Sequence, residues 1–229
     1  MSLKNKRILI TAGPTWAAID SVRVISNTAS GETGVRVAAA LRKAGAEVTL
    51  LLGPCGAGIA DKRIKVLNYS FFEELKILLE TELAAGNRYD AVIHSAAVSD
   101  YLPARRAKGK ISSDLPKLKL TLSRAPKLID MIRKKTPGAL LVAFKFLPEA
   151  APKPLIEAAR ALGKRSRVNI VVANTVKAGG YRAFVVSPQG IVPEAGSKEE
   201  LVELLGMYLD AYFNKNKPRH TCACSCGKC

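Results

Sequence analysis

The 229-residue sequence predicts an α/β domain on a doubly wound, mostly parallel sheet, with a basic β-arm excursion and a cysteine-rich C-terminal tail. Three observations point there. Short apolar runs alternate with amphipathic segments at helical spacing over the first 100 residues. The strand–helix–strand units are long enough for right-handed crossovers between parallel strands. Small polar residues and glycines follow the apolar runs, at the strand ends where such sheets bind ligands.

Lys6–Ala12 (KRILITA) is a short apolar run with a polar lead-in, the signature of a buried strand. Gly34–Ala44 carries apolar residues at helical spacing, and Gly45 stops it. Glu47–Leu52 is a second strand, Phe71–Ala84 an amphipathic helix and Asp90–His94 a third strand. The pattern then changes. Lys117–Ser123 alternates strictly, Leu118, Leu120 and Leu122 against Lys117, Lys119 and Thr121, and predicts a half-exposed strand. Leu128–Arg133 reads as helix, Ala139–Phe144 as buried strand, Leu155–Leu162 as helix and Val168–Ala173 as strand. Arg182–Ser187 and Gly190–Val192 predict a hairpin. Ser197 with Glu200 forms a capping box for a last helix, Lys198–Phe213. One domain over 1–213 and a tail over 214–229 follow, with no repeat and no linker.

The formal net charge is +17, from 36 Lys+Arg against 19 Asp+Glu. Such basicity suits nucleic acid, anionic membranes or anionic small substrates. Residues 101–135 hold 11 basic and 2 acidic residues, so the excess is central and a terminal nucleic-acid arm is disfavoured. No run reaches the ~18 apolar residues of a membrane span, and no cleavable apolar leader is present, which predicts a cytoplasmic protein. Of five cysteines, Cys222, Cys224, Cys226 and Cys229 crowd the end, unlike a disulfide scaffold. That cluster could bind a soft metal through thiolates or form a disordered tail.

The first strand is followed by TAGPT, without the G-x-G-x-x-G fingerprint, and Pro14 removes a backbone donor. A nicotinamide-dependent short-chain oxidoreductase would need that fingerprint and a Tyr-x-x-x-Lys pair. The nearest match, Tyr101 to Arg105, is interrupted by Pro103. Residues 13–33 read instead as a long polar loop whose Ser26, Asn27, Thr28 and Ser30 precede a helix N-terminus, which suits either a phosphate or a plain cap. His94 closes a buried strand and is expected to be a hydrogen-bonded core residue.

Taken in order, TAGPT, VRVISNTASGETG, HSAAVSDY, GKISSD, VAFK and VVAN resemble the phosphopantothenoylcysteine synthetase (phosphopantothenate–cysteine ligase) family, the ligase half of a coenzyme A biosynthesis flavoprotein, over residues 6–213. The resemblance implies a Rossmann-like fold and a ligase that joins 4′-phosphopantothenate to L-cysteine through an acyl-nucleotidylate. It implies CTP as the nucleotide, with ATP possible, and Mg²⁺ with it. It also implies a homodimer, contact with a separate phosphopantothenoylcysteine decarboxylase and no FMN in this chain. Matching motifs position by position assigns Asn27 and Lys110 catalytic roles. Gly13, Ala96, Ala97, Asp100, Lys110, Phe144 and Lys164 are assigned to the nucleotide, and Arg23, Asn27, Ser30 and Gly31 to the substrate. The chain departs from the family at Glu32, where bacterial members carry Lys, and at Trp16, where they carry Arg. A basic nucleic-acid-binding protein is the alternative outside enzymes, but aromatic residues are only 6% and no nucleic-acid-binding signature is visible.

Overall fold

The computed structural model describes residues 2–215 apart from 57, 179, 192 and 193. Strand β1 (Arg7–Ala12) is buried from Ile8 onward and has parallel neighbours on both sides. A hairpin follows, β2 (Trp16–Ala18) with β3 (Val24–Ser26), then helix α1 (Glu32–Lys43) and the return strand β4 (Glu47–Leu52). β5 (Lys65–Asn68) adds outside β4, and α2 (Phe72–Glu82) crosses the other face to β6 (Ala91–His94), on the far side of β1. A two-stranded ribbon, β7 (Tyr101–Pro103) with β8 (Leu122–Arg124), stands outside the main sheet. Then come α3 (Leu128–Lys135), β9 (Leu140–Phe146), α4 (Pro152–Ser166), β10 (Ile170–Lys177), β11 (Gly180–Ser187), β12 (Gly190–Ile191) and α5 (Lys198–Lys215).

The eight main strands lie in the order β12-β11-β10-β9-β6-β1-β4-β5, parallel from β10 to β5 and antiparallel at β11 and β12. Successive side chains of a strand face opposite ways, so the sheet has two apolar faces. Ile8 and Ile10 pack with α1 and α5 on one, Leu9 with α2, α3 and α4 on the other. Strand order reverses at β1, which puts the switch point between the carboxyl ends of β1 and β6. Among the described residues no helix is long and apolar enough to cross a membrane.

Two readings from the sequence need correction. The alternating stretch Lys117–Ser123 does not form a strand along its length. Only β8 pairs, starting at Leu122, while Leu118, Leu120 and Leu122 are all exposed. Alternation sorts leucines onto one side but needs a facing layer to bury them, and a two-stranded ribbon supplies none; Pro116 also lacks a donor just upstream. The loop predicted over 13–33 contains the β2–β3 hairpin, whose strands are only three residues each.

The hairpin is tied down at both ends. Trp16 donates its N–H to the Ser70 carbonyl and meets Phe71 edge-on, with ring centroids 5.8 Å apart. At the tip, the buried Asp20 carboxylate gathers the arm. Its Oδ1 accepts the Val22 and Arg23 N–H groups at 2.8 Å, and its Oδ2 accepts Arg23 Nη1 at 2.8 Å and the Ile111 N–H at 3.1 Å. Arg23 Nη1 also donates to the Ile111 carbonyl. The Val22 N–H, ahead of opposing burial, and then the Ile111 and Arg23 donors hold this carboxyl below its usual range.

Helix α1 approaches the switch point very closely at Gly34. A Cβ there would lie 2.5 Å from Ala12 Cβ and 2.6 Å from Ser95 Oγ. Gly34→Ala is therefore expected to lose about 1–3 kcal/mol by overpacking, read as a lower urea midpoint at unchanged m-value. Asp20→Asn is expected to free the 104–121 arm, seen as faster amide exchange at Ile111. In the wild-type protein the same protection should be complete above the ordinary carboxylate range and fade as pH falls through the lower, folded-state value.

Candidate functional site

A cleft of about 600 Å³ opens at the switch point, on the face that carries α1 and α5. One wall is the loop from Asn27 to Gly34. The floor is Gly13, Ser95 and Ala97, and the other wall is Phe144, Phe146, Asn174, Val176 and Tyr181, with Lys198 at the start of α5. The second wall is one face of three adjacent strands. Phe144 and Phe146 are two apart on β9, Asn174 pairs with Phe146 on β10, and Tyr181 of β11 pairs with Val176. Such alternation puts all five side chains on the same side.

The floor is laced together through the backbone. Ala97 donates its N–H to the Gly13 carbonyl at 3.0 Å, and Ala96 donates to Thr11 Oγ1 at 3.2 Å. Tyr69 Oη donates to the Ala12 carbonyl at 2.8 Å, and burial raises its phenol, which stays neutral. Asn27 Nδ2 donates to the Ala97 carbonyl at 2.9 Å, so one carboxamide joins the end of β3 to the segment after β6. Gly31, at the N-cap of α1, takes a positive φ of 72° and supplies no side-chain cap, while Ser30 Oγ accepts the Glu32 N–H at 3.4 Å. The first turn, Glu32 to Gly34, lines the cleft with the positive end of the helix dipole.

His94 stands behind the floor with Nδ1 2.9 Å from Thr11 Oγ1. Burial pushes its imidazole down to about 4, so the ring is neutral at neutral pH, as expected of a core residue. Asn174 Oδ1 is buried without a hydrogen-bond partner, and burial raises the Tyr181 phenol beside it. Glu32 is held below its usual range first by Lys198 and then by Arg36.

Of the residues expected from the sequence, Gly13, Asn27, Ser30, Gly31, Ala97 and Phe144 meet in this cleft. Ala96 lies beside it, with its N–H engaged by Thr11. The remaining four lie outside the cleft lining. Arg23 is bound to Asp20 and Ile111 at the hairpin tip, which brings the neighbouring Lys110 there too. Asp100 pairs with Lys127 where the β7–β8 ribbon begins. Lys164 lies near the C-terminal end of α4 with Val168, Asn169 and Pro188, at the opposite end of the sheet; helix α4 runs back across the sheet and so carries it away from the strand carboxyl ends. The four tail cysteines fall outside the described residues.

The sequence reading placed Phe146 at a strand end without giving it a role and missed Val176, Tyr181 and Lys198. Phe146 had a signal, two residues beyond Phe144 on the same strand. Lys198 had none, since it is 166 residues from the Glu32 it meets. The cleft does not fit a protein-held Mg²⁺. Glu32 is the one carboxylate in its lining and is already engaged by two cations, and the described residues contain no cluster of three metal-ligating side chains. Magnesium bound mainly through substrate phosphates would need no such cluster.

Comparison with known proteins matches residues 3–195 to the family described as DNA/pantothenate metabolism flavoprotein C-terminal domain. A relative from Thermococcus kodakarensis, the coenzyme A biosynthesis bifunctional protein CoaBC, is 41% identical over 180 residues, which cover 78% of this chain and 43% of the relative. The chain thus spans less than half the length of that relative. The solved DNA/pantothenate metabolism flavoprotein from Streptococcus pneumoniae superimposes with a TM-score of 0.81 at 28% identity, covering 90% of this chain and 99% of that one. A structure solved in complex with phosphopantothenate-cysteine shares the fold, with a TM-score of 0.66 at 19% identity over 92% of this chain and 89% of that one. With the family profile spanning most of its described length and an archaeal relative at this identity, the chain belongs to the DNA/pantothenate metabolism flavoprotein C-terminal domain family.

Proposed function

We propose that the chain is a phosphopantothenate–cysteine ligase of coenzyme A biosynthesis, joining 4′-phosphopantothenate and L-cysteine through an acyl-nucleotidylate. The observation that carries this reading is the cleft itself. Asn27 bridges two strand ends in one cleft with the glycine-capped N-terminus of α1 and a wall that holds two phenylalanines. In a member of this family, that arrangement suits a nucleoside triphosphate laid against an acyl group.

The reaction begins when a carboxylate oxygen of phosphopantothenate attacks the α-phosphorus. The new P–O bond forms as the bond to pyrophosphate breaks. The cysteine amine then attacks the acyl carbon, the nucleoside monophosphate leaves with the electron pair of the C–O bond, and the amine loses a proton. Phe144 and Phe146 offer flat apolar surface for the base. The first turn of α1 offers N–H donors to phosphate oxygens. Ala96 and Ala97 have their N–H groups engaged, so they present a smooth shelf and not a phosphate cradle. The Asn27 carboxamide, fixed through Nδ2, holds the acyl group in line.

Lys110 and Arg23 stand together at the hairpin tip. In this reading they serve the phosphate groups from an arm that meets a second copy of the chain. The exposed Val22, Tyr101, Leu118, Leu120 and Leu122 support such a homodimer. CTP is the proposed nucleotide, entering with Mg²⁺ as its substrate complex, and ATP the alternative. A phosphopantothenoylcysteine decarboxylase is the proposed functional partner, in the cytoplasm.

Pyrophosphate release is expected to require both the nucleotide and 4′-phosphopantothenate, with CMP or AMP appearing once cysteine is added. If neither CTP nor ATP supports that release, the reading is overturned. Lys110→Gln is expected to lower nucleotidyl transfer by about 10²–10³-fold, the usual effect of removing one transition-state donor, with the fold intact by circular dichroism. Asn27→Asp is expected to shift the ratio of pyrophosphate to final product in single-turnover assays. Wild-type ratios would remove Asn27 from its assigned role.

A further inference from the structure

Helices α1 and α5 lie side by side and begin at the same place. Lys198, in the first turn of α5, donates through Nζ to Glu32 Oε2 in the first turn of α1, and Arg36 Nη1 of α1 meets Glu199 of α5. The first turn of α1 and Lys198 of α5 both line the cleft. A lysine is the wrong charge for a helix N-terminus, where carboxylates are favoured and cations repelled. The other first-turn side chains of α5 obey the rule. Glu200 accepts the Gly196 N–H at 2.7 Å, and Glu199 pairs with Arg36.

Lys198 breaks the rule at the point where it lines the cleft, and its side chain is 31% exposed. Among the described lining residues it is the one cation, and Glu32 is the one anion. Glu32 is shared, since Arg36 holds its Oε1 through Nε at 2.9 Å and Nη2 at 2.7 Å while Lys198 holds Oε2. If the ammonium left Oε2, Glu32 would remain neutralised by Arg36. The pairing can thus be exchanged without stranding a charge.

We infer that Lys198 is the cation that binds a phosphate of the nucleotide in this cleft, and that Glu32 holds its ammonium ready until a phosphoryl oxygen replaces the carboxylate. The inference rests on the reading of the cleft as a nucleoside triphosphate site. Glu32 is then a positioning residue that competes with the ligand.

The test is direct titration of MgCTP, MgATP and 4′-phosphopantothenate, each alone, into the full chain and its variants by calorimetry. Lys198→Gln is expected to weaken nucleotide binding tenfold or more, the effect of one charge-assisted hydrogen bond. Lys198→Arg should retain affinity within about threefold, since the charge is kept. Glu32→Gln should tighten nucleotide binding several-fold by removing the competitor, and the affinity of Lys198→Gln should fall less steeply with added salt. Matched thermal melts establish that each variant is folded.

Wild-type nucleotide affinity in folded Lys198→Gln would overturn the inference. So would a loss confined to 4′-phosphopantothenate, or a Glu32→Gln variant that weakens nucleotide as much as Lys198→Gln does. If the wild-type chain binds neither MgCTP nor MgATP, the ligase reading itself fails, and that result is distinct from the others.

Discussion

Where the strand order turns back at β1, β4 departs to one side and β6 to the other, and no crossover helix covers the gap between their ends. The candidate cleft is arranged around that gap. Gly34 lets α1 press onto Ala12 and Ser95, which brings the first turn of the helix down to the strand ends. Any side chain there would lift the helix and its donors away. The backbone lacing of Gly13, Ala96 and Ala97 then sets the floor before a ligand arrives, so little ordering remains to be done on binding.

The charge of the chain is distributed to match. The net +17 does not flood the cleft with cations; the described lining holds one lysine and one glutamate. The excess lies on the arm and on α3 and α4, a distribution that would attract anions without fixing them. Close to the gap stand the first turn of α1 and the Lys198–Glu32 pair. Asp20 links the two regions, because one buried carboxylate couples the hairpin leaving the floor to the basic arm at Ile111.

The central sheet was legible because parallel strands buried on both faces read as unbroken apolar runs, and Lys6–Ala12, Glu47–Leu52 and Ala139–Phe144 all do. β5 and the β2–β3 hairpin escaped notice because three or four residues carry no period. Lys117–Ser123 shows the opposite failure, with perfect alternation and no layer to pack against. The half of the site built from contiguous motifs, the Asn27–Gly34 loop and Phe144, could be read from the sequence. The half assembled by register could not, since Tyr181 meets the cleft through its pairing with Val176 and Lys198 through the alignment of two helices. Lys110 and Arg23 could be named but not placed, since their position depends on hydrogen bonds made across about ninety residues.

His94 is the one imidazole among the described residues, and its surroundings keep it uncharged far below neutrality. The side chain most able to sense acidity near pH 7 has here been turned into an inert strut beneath the floor. Among the described residues the cleft therefore has no imidazole to sense mild acidification, and any such response there would have to enter through other groups.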